Sequence, residues 1–239
     1  ESLVQSIYPN AQSVSAWGGE DDETPLYGVV KIAIKAASGS TLTNTTKTDI
    51  VRQLQKYNVA SVRPEIVDPE ITKILLTSNI KFDEKATTKT ATTLKSDVTT
   101  TITNYSTNTL SQFDGVFRYS KLSSLIDATD SSILSNITTL KIRKDFTPTL
   151  GSSTKYNVYF RNSIYNPHSG HQSVITSTGF KVAGNNNEMF FDDDGAGNLR
   201  RYYVEAGVKQ YEDNTAGVVD YTAGTITINS IYINSISDV

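Results

Sequence analysis

The chain has 239 residues, 37% of them apolar, with a mean hydropathy of −0.31 and a net charge of −3 at pH 7. It has no cysteine, which excludes disulfides and thiolate metal sites, and no apolar run reaches the roughly 18 residues that span a bilayer. Phosphate contacts need clustered Lys and Arg, so the acidic balance excludes a general nucleic-acid binder.

The chain begins at Glu1 and its only methionine is Met189, which leads us to expect a piece of something longer or a processed product. Asn44, Asn104 and Asn136 fit the glycosylation pattern, but no secretory signal accompanies them. The first distinctive stretch is residues 15–35, "SAWGGEDDETPLYGVVKIAIK". It places the only tryptophan, Trp17, before two glycines, then Glu20, Asp21, Asp22 and Glu23, then Pro25. Three readings compete: a binding loop, a metal site and a structural corner. The acids could supply a general acid–base pair, but a charge run flanked by Gly and Pro reads as a solvated loop.

Val30, Ile32 and Ile34 alternate with Lys31, Ala33 and Lys35, which predicts a half-buried strand. Thr46 with Asp49 resembles a capping box, and Ile50, Val51, Leu54 and Tyr57 then predict a short helix over 47–58. Ile74, Leu76, Ser78, Ile80 and Phe82 predict a second strand. Residues 86–110 are rich in Thr, a poor helix former, yet Leu94, Val98, Ile102 and Tyr105 fall on one helical face. The reading is a helix, with a polar loop as the alternative. Leu122, Leu125 and Ile126 predict another short helix, and residues 137–144 a strand. The order suits an α+β layer with helices on one face of a mixed sheet.

Residues 147–153, "TPTLGSS", break the pattern and set the expected boundary between an α+β domain at 1–146 and a β-rich domain at 147–239. After it, Tyr156, Val158 and Phe160 alternate, and short antiparallel strands are expected at 174–182, 189–191, 199–204, 218–221 and 225–233. "FFDDDGAGNLRRYYVE" predicts a hairpin with a long polar tip, and "VVDYTAGTITI" another that turns at Gly224.

Catalytic signals are sparse. His168 and His171 form H-x-x-H inside "NPHSGHQ", a turn rather than a ligand-bearing helix, and read as two solvated histidines. Asp192, Asp193 and Asp194 invite a calcium reading, but alternate positions lead to Ala196 and the twelfth position is Tyr203, so the run reads as a solvated hairpin tip. Nucleophile-elbow, phosphate-loop and dinucleotide motifs are missing. No catalytic, cofactor-binding or metal-ligating residue is assigned.

The stretch from Trp17 to Glu20 and Asp21, followed by residues 25–35, "PLYGVVKIAIK", resembles the corner found in the baseplate J-like family, the wedge proteins of contractile-tailed, T-even-like phages. "FFDDDGAGNLRRYYV" and "AGVVDYTAGTITINSIYI" fit the same family and carry the resemblance to both ends of the chain. The resemblance implies a C-terminal portion of a virion protein of the tail baseplate, without enzymatic activity or cofactor, assembled in the host cytoplasm. It implies self-association as a homodimer and, in the particle, a ring made with other wedge proteins, with neither nucleic acid nor membrane as partner. It also implies that Trp17, Gly18 and Gly19 form a structural corner leading into a core strand. Two rivals remain: a receptor- or carbohydrate-binding module of a tail fibre or adhesin, and a metal-dependent hydrolase using His168, His171 and Asp192 to Asp194.

Overall fold

The computed structural model describes residues 1–22, 25–39, 41–58 and 62–237. Two compact units divide the chain, Glu1–Ile142 and Arg143–Val239. The class is α+β followed by a β-rich part, as the patterning predicts.

The first unit holds two hydrophobic clusters, each built by pairing a small sheet with amphipathic helices. In the first, β1 (Ala11–Gly18) runs antiparallel to β2 (Val29–Ala36), which runs parallel to β3 (Arg63–Val67). The link from β2 to β3 is α2 (Asn44–Leu54), as a parallel pair requires a crossover. Val14, Ile32 and Ile34 meet Ile50 and Leu54 of α2 and Val4 of α1 (Ser2–Ile7). Val29 and Ala33, on the face opposite Ile32 and Ile34, are buried as well, so β2 is covered on both faces rather than half-buried. The cap of α2 differs from the sequence reading. Thr43 is the N-cap and its Oγ1 accepts from Thr46 N at 3.3 Å, so Thr46 sits inside the helix and pairs with no capping Asp49. Asp49 instead accepts from Arg52 at 2.7 Å.

In the second cluster, β4 (Thr72–Phe82) and β5 (Ile133–Lys144) form a two-stranded ribbon. On it lie α3 (Ala91–Tyr105) and α4 (Tyr119–Asp127). The Thr-rich segment is a helix because Val98 and Tyr105 are buried against Leu122 and Ile126, and burial of that face outweighs the small propensity deficit of Thr. Thr90 caps α3 by accepting from Thr93 N at 3.2 Å. The last turn, Ser106–Leu110, widens to a π-helix.

The second unit is a small barrel. Pairings run β10 (Val208–Asp220), β9 (Asn198–Glu205), β8 (Met189–Asp193), β7 (Phe180–Val182), β11 (Thr225–Ile236) and back to β10, while β6 (Ser153–Tyr159) adds to β11. Its interior is filled by Met189, Phe191, Leu199, Val219, Ile226 and Ile233 among others. Two departures from the sequence reading follow from side-chain chemistry. The strand expected over 174–182 is regular only from Phe180 to Val182; upstream, an isolated bridge of Thr176 with Asp192 and the backbone bonds Ser173 N to Asp193 O (3.0 Å) and Ser177 N to Phe191 O (3.1 Å) alternate with side-chain bonds, Ser177 Oγ taking the Phe191 N–H (2.8 Å) and the Asp193 carboxylate the Ile175 N–H (2.7 Å). Conversely β10 begins at Val208, through the polar run "VKQYEDNTA", with irregular register between Tyr211 and Gly217. No helix among the described residues is long and apolar enough to cross a membrane.

The hairpin joining β9 to β10 turns on Ala206 and Gly207, with φ of 49° and 80°. Two positive φ values suit the twist of the strands, but Ala is strained there. Ala206→Gly is expected to stabilise the barrel by about 0.5–1 kcal/mol, measured by denaturant unfolding. A destabilising substitution would show that the strain is not in the turn.

Candidate functional site

Four places hold chemistry-bearing residues: the Trp17 corner, the aspartate run, the histidine loop and an apolar groove in the first unit. At the corner, Trp17 and Lys31 are register partners across β1 and β2. The strand then ends in a 3-10 turn over Gly19–Asp21, which brings Asp22 back to both. Trp17 Nε1 donates to Asp22 Oδ1 at 3.1 Å, and Lys31 forms an ion pair with the same carboxylate. The Lys31 contact, and then the Trp17 contact, hold the Asp22 carboxyl below its usual range, and the Lys31 ammonium is raised in return. Gly18 has φ −73° and ψ 142°, ordinary extended backbone, so it is not there for a special conformation. Space is the requirement at Gly19: a Cβ there would lie 2.5 Å from the Leu26 carbonyl oxygen, where Leu26 N donates to Gly19 O at 2.9 Å. Of the acidic run, Glu20 and Asp21 are exposed, Asp22 is partnered, and Glu23 lies outside the described residues.

Trp17 itself is partly buried, so its loss removes less contact than a core aromatic would. Trp17→Ala is expected to destabilise the first unit by about 1–2 kcal/mol, below the ~3–5 kcal/mol of a fully buried aromatic. Urea unfolding measures it; no change would remove the corner from the structural account.

The aspartate run is not a solvated tip, and here the structure corrects the sequence reading. Asp192 and Asp193 belong to β8 and are fully buried. Alternation along the strand sends Met189, Phe191 and Asp193 to one face and Phe190 and Asp192 to the other. Asp193 accepts from Tyr221 OH at 2.6 Å and from Ile175 N at 2.7 Å. Burial, then that hydrogen bond, pushes the Tyr221 phenol well up. Asp192 stands opposite Arg200 in the register and accepts from its Nε at 3.0 Å. Its other oxygen accepts from Lys209 Nζ (2.6 Å), Ser173 Oγ (3.0 Å) and Tyr211 OH (3.1 Å). Arg200 lies 4.3 Å from the Tyr211 ring centre and Lys209 4.3 Å from that of Tyr202. Only Asp194 occupies the turn, where it accepts from the N–H groups of Ala196 (2.8 Å) and Asn198 (2.9 Å).

Burial alone would raise the Asp192 carboxyl, but Lys209, Arg200 and Ser173 together bring it below its usual range. A depressed carboxylate adds stability above its unfolded pKa of about 3.9, and that stability is lost as pH falls through the lower folded value. Barrel stability is therefore expected to fall with acid below about pH 4. Asp192→Asn should abolish much of that dependence and cost about 2–4 kcal/mol at pH 7. The cost sits below the ~3–5 kcal/mol of a wholly buried pair because Lys209 keeps part of its water. Denaturant titrations from pH 2 to 7 test both; identical curves for the two proteins would refute the assignment.

His168 and His171 are exposed, with ring centres 5.0 Å apart. Among the described residues no three His, Asp or Glu side chains cluster as a metal set would. The groove, about 500 Å³, runs between the start of β4 and the end of α3, lined by Ile74, Leu76, Ile102, Tyr105, Leu110 and Phe113. Sequence reasoning missed it, because its walls come from three separate segments.

The first unit is built from two small helix-backed sheets, and both match known domains. Residues 1–67 match the family described as baseplate structural protein gp6, C-terminal domain I, and residues 72–145 match C-terminal domain III of the same protein. The chain belongs to the baseplate wedge protein gp6 family. The two matches coincide with the two hydrophobic clusters, one ending at the end of β3 and the other spanning β4 to β5. The chain is also 25% identical over 162 residues to the baseplate wedge protein gp6 of Enterobacteria phage T4, covering 64% of this chain and 24% of that protein. It thus spans about a quarter of the length of the curated relative it matches and corresponds to its C-terminal portion. The matched families are structural baseplate proteins by description.

Proposed function

We propose that the chain serves as a non-enzymatic, structural part of a phage tail baseplate, linking wedge subunits into a ring by self-association and by contacts with neighbouring wedge proteins. Its place is then the virion, after assembly in the host cytoplasm. The family match supports this reading, and one feature of the fold gives it a surface. Among the described residues, β4 and β5 pair only with each other. A two-stranded ribbon leaves both outer edges open and is marginal without further cover. On β5, Leu134, Ile137 and Leu140 are 62%, 67% and 42% exposed. Exposed apolar residues gathered on one open ribbon suit an association surface better than a solvent face. In this reading the Trp17, Gly18 and Gly19 corner is structural, and 1–146 and 147–239 are the working domains.

A homodimer at micromolar concentration is expected, burying on the order of 800 Å² per partner around apolar residues. Light scattering coupled to gel filtration measures it, and Ile137→Lys should shift the chain toward monomer while leaving its circular dichroism unchanged. A strict monomer at high concentration would confine this part of the family to heterologous contacts.

A further inference from the structure

The histidine loop is more ordered than its polar sequence suggests. His171 N donates to His168 O at 3.1 Å, closing a turn, and Gly170 N donates to Gly195 O at 3.0 Å. Asn166 Nδ2 donates to the same Gly195 carbonyl at 3.1 Å. Gly195 packs so closely on the His171 backbone that a Cβ would collide with it. The loop thus rests on the β8–β9 turn through backbone contacts that do not use the imidazoles.

The two rings are turned toward each other. His168 Nε2 and His171 Nδ1 are 3.3 Å apart, with the ring planes at 88°. His168 Nδ1 lies 3.1 Å from the Ser169 carbonyl oxygen, which can only accept, so Nδ1 carries the proton and Nε2 presents its lone pair to His171. His171 Nδ1 can meet that lone pair with its own N–H, or, as the other tautomer, turn a second lone pair to a cation held between the two rings. The separation suits a cation: two metal–nitrogen bonds of about 2.0–2.1 Å at a tetrahedral angle span roughly 3.3–3.4 Å. A ligating histidine that donates its other N–H to a backbone carbonyl is also the usual second layer of a metal site. Asn166 Oδ1 is buried without a hydrogen-bond partner, and Asn166 and His168 line the same shallow depression with Ser169 and Tyr221.

We propose that His168 Nε2 and His171 Nδ1 form a two-nitrogen chelate for a borderline divalent transition metal such as Zn2+, Ni2+ or Cu2+. Water fills the remaining positions. Imidazole nitrogens suit these metals and not Mg2+ or Ca2+, which prefer oxygen. This departs from the sequence reading of two solvated histidines. That reading rested on the missing third side-chain ligand, whereas the folded loop supplies two nitrogens already set at chelating distance.

The test is isothermal titration of the 239-residue chain with ZnCl2, NiCl2 and CuCl2, with MgCl2 as control, alongside NMR of the imidazole C–H signals. Saturable one-to-one binding in the micromolar range is expected for at least one of the three transition metals, with both imidazoles responding together and no response to Mg2+. His168→Ala and His171→Ala should each weaken it at least about tenfold, and the double variant should abolish it. Both side chains are exposed, so the variants should keep the circular dichroism of the parent. Absence of saturable binding in the parent chain, or binding that persists in the folded double variant, overturns the proposal.

Discussion

Two adjacent carboxylates, Asp192 and Asp193, are buried on opposite faces of one strand, and the β-rich unit is organised around them. A strand sends neighbouring side chains to opposite sides, so both can be buried only if protein covers both faces. The Asp193 side faces the apolar interior and answers the Tyr221 hydroxyl. The Asp192 side is covered by Lys209, Tyr211 and the segment around Ser173. An unpaired buried charge is costly, so each carboxylate makes its surroundings obligatory. Asp192 ties β8 to Arg200 of β9 and to Lys209 and Tyr211 of β10, and Asp193 holds the irregular 173–177 segment beside β8. These polar contacts add to the few backbone bonds that join this segment to β8, while the barrel itself closes through the pairing of β10 with β11.

The first unit uses a different economy of parts. Each of its two sheets is too small to stand alone, and each is completed by helices. In the first, α2 serves both as the crossover that parallel pairing demands and as the lid of the core. In the second, α3 and α4 cover the ribbon, and buried polar groups at its back are satisfied in a chain: Tyr119 OH donates to Thr138 O at 2.8 Å, and Thr138 Oγ1 meets Ser78 Oγ at 2.8 Å. The abundance of Thr and Ser is thereby put to use in caps and cross-strand contacts rather than left as a loop.

These features fit a part that is built to be held by neighbours. Among the described residues, the ribbon shows exposed apolar residues and open edges. In the proposed role, that ribbon is the association surface. The histidine loop would add a contact of another kind, since a metal held by two protein nitrogens keeps positions free for further ligands.

What the sequence by itself determined is the local, periodic content. The strand through Ile32 and Ile34, the alternation from Ile74 to Phe82, the helical face of Leu94, Val98 and Tyr105 and the turn at Gly224 were all legible, because each depends on residues a few positions apart. Tertiary structure alone decided the rest. "FFDDDG" looks like a polar tip because charge predicts solvent, and Arg200 and Lys209 from neighbouring strands, with Tyr221 from the β10–β11 turn, make burial of two aspartates possible. The polar start of β10 has no apolar alternation to announce it, and its strand character comes from pairing with β9. The division of the first unit into two clusters, the groove between separate segments, and the facing nitrogens of His168 and His171 likewise depend on distances that no spacing along the chain encodes.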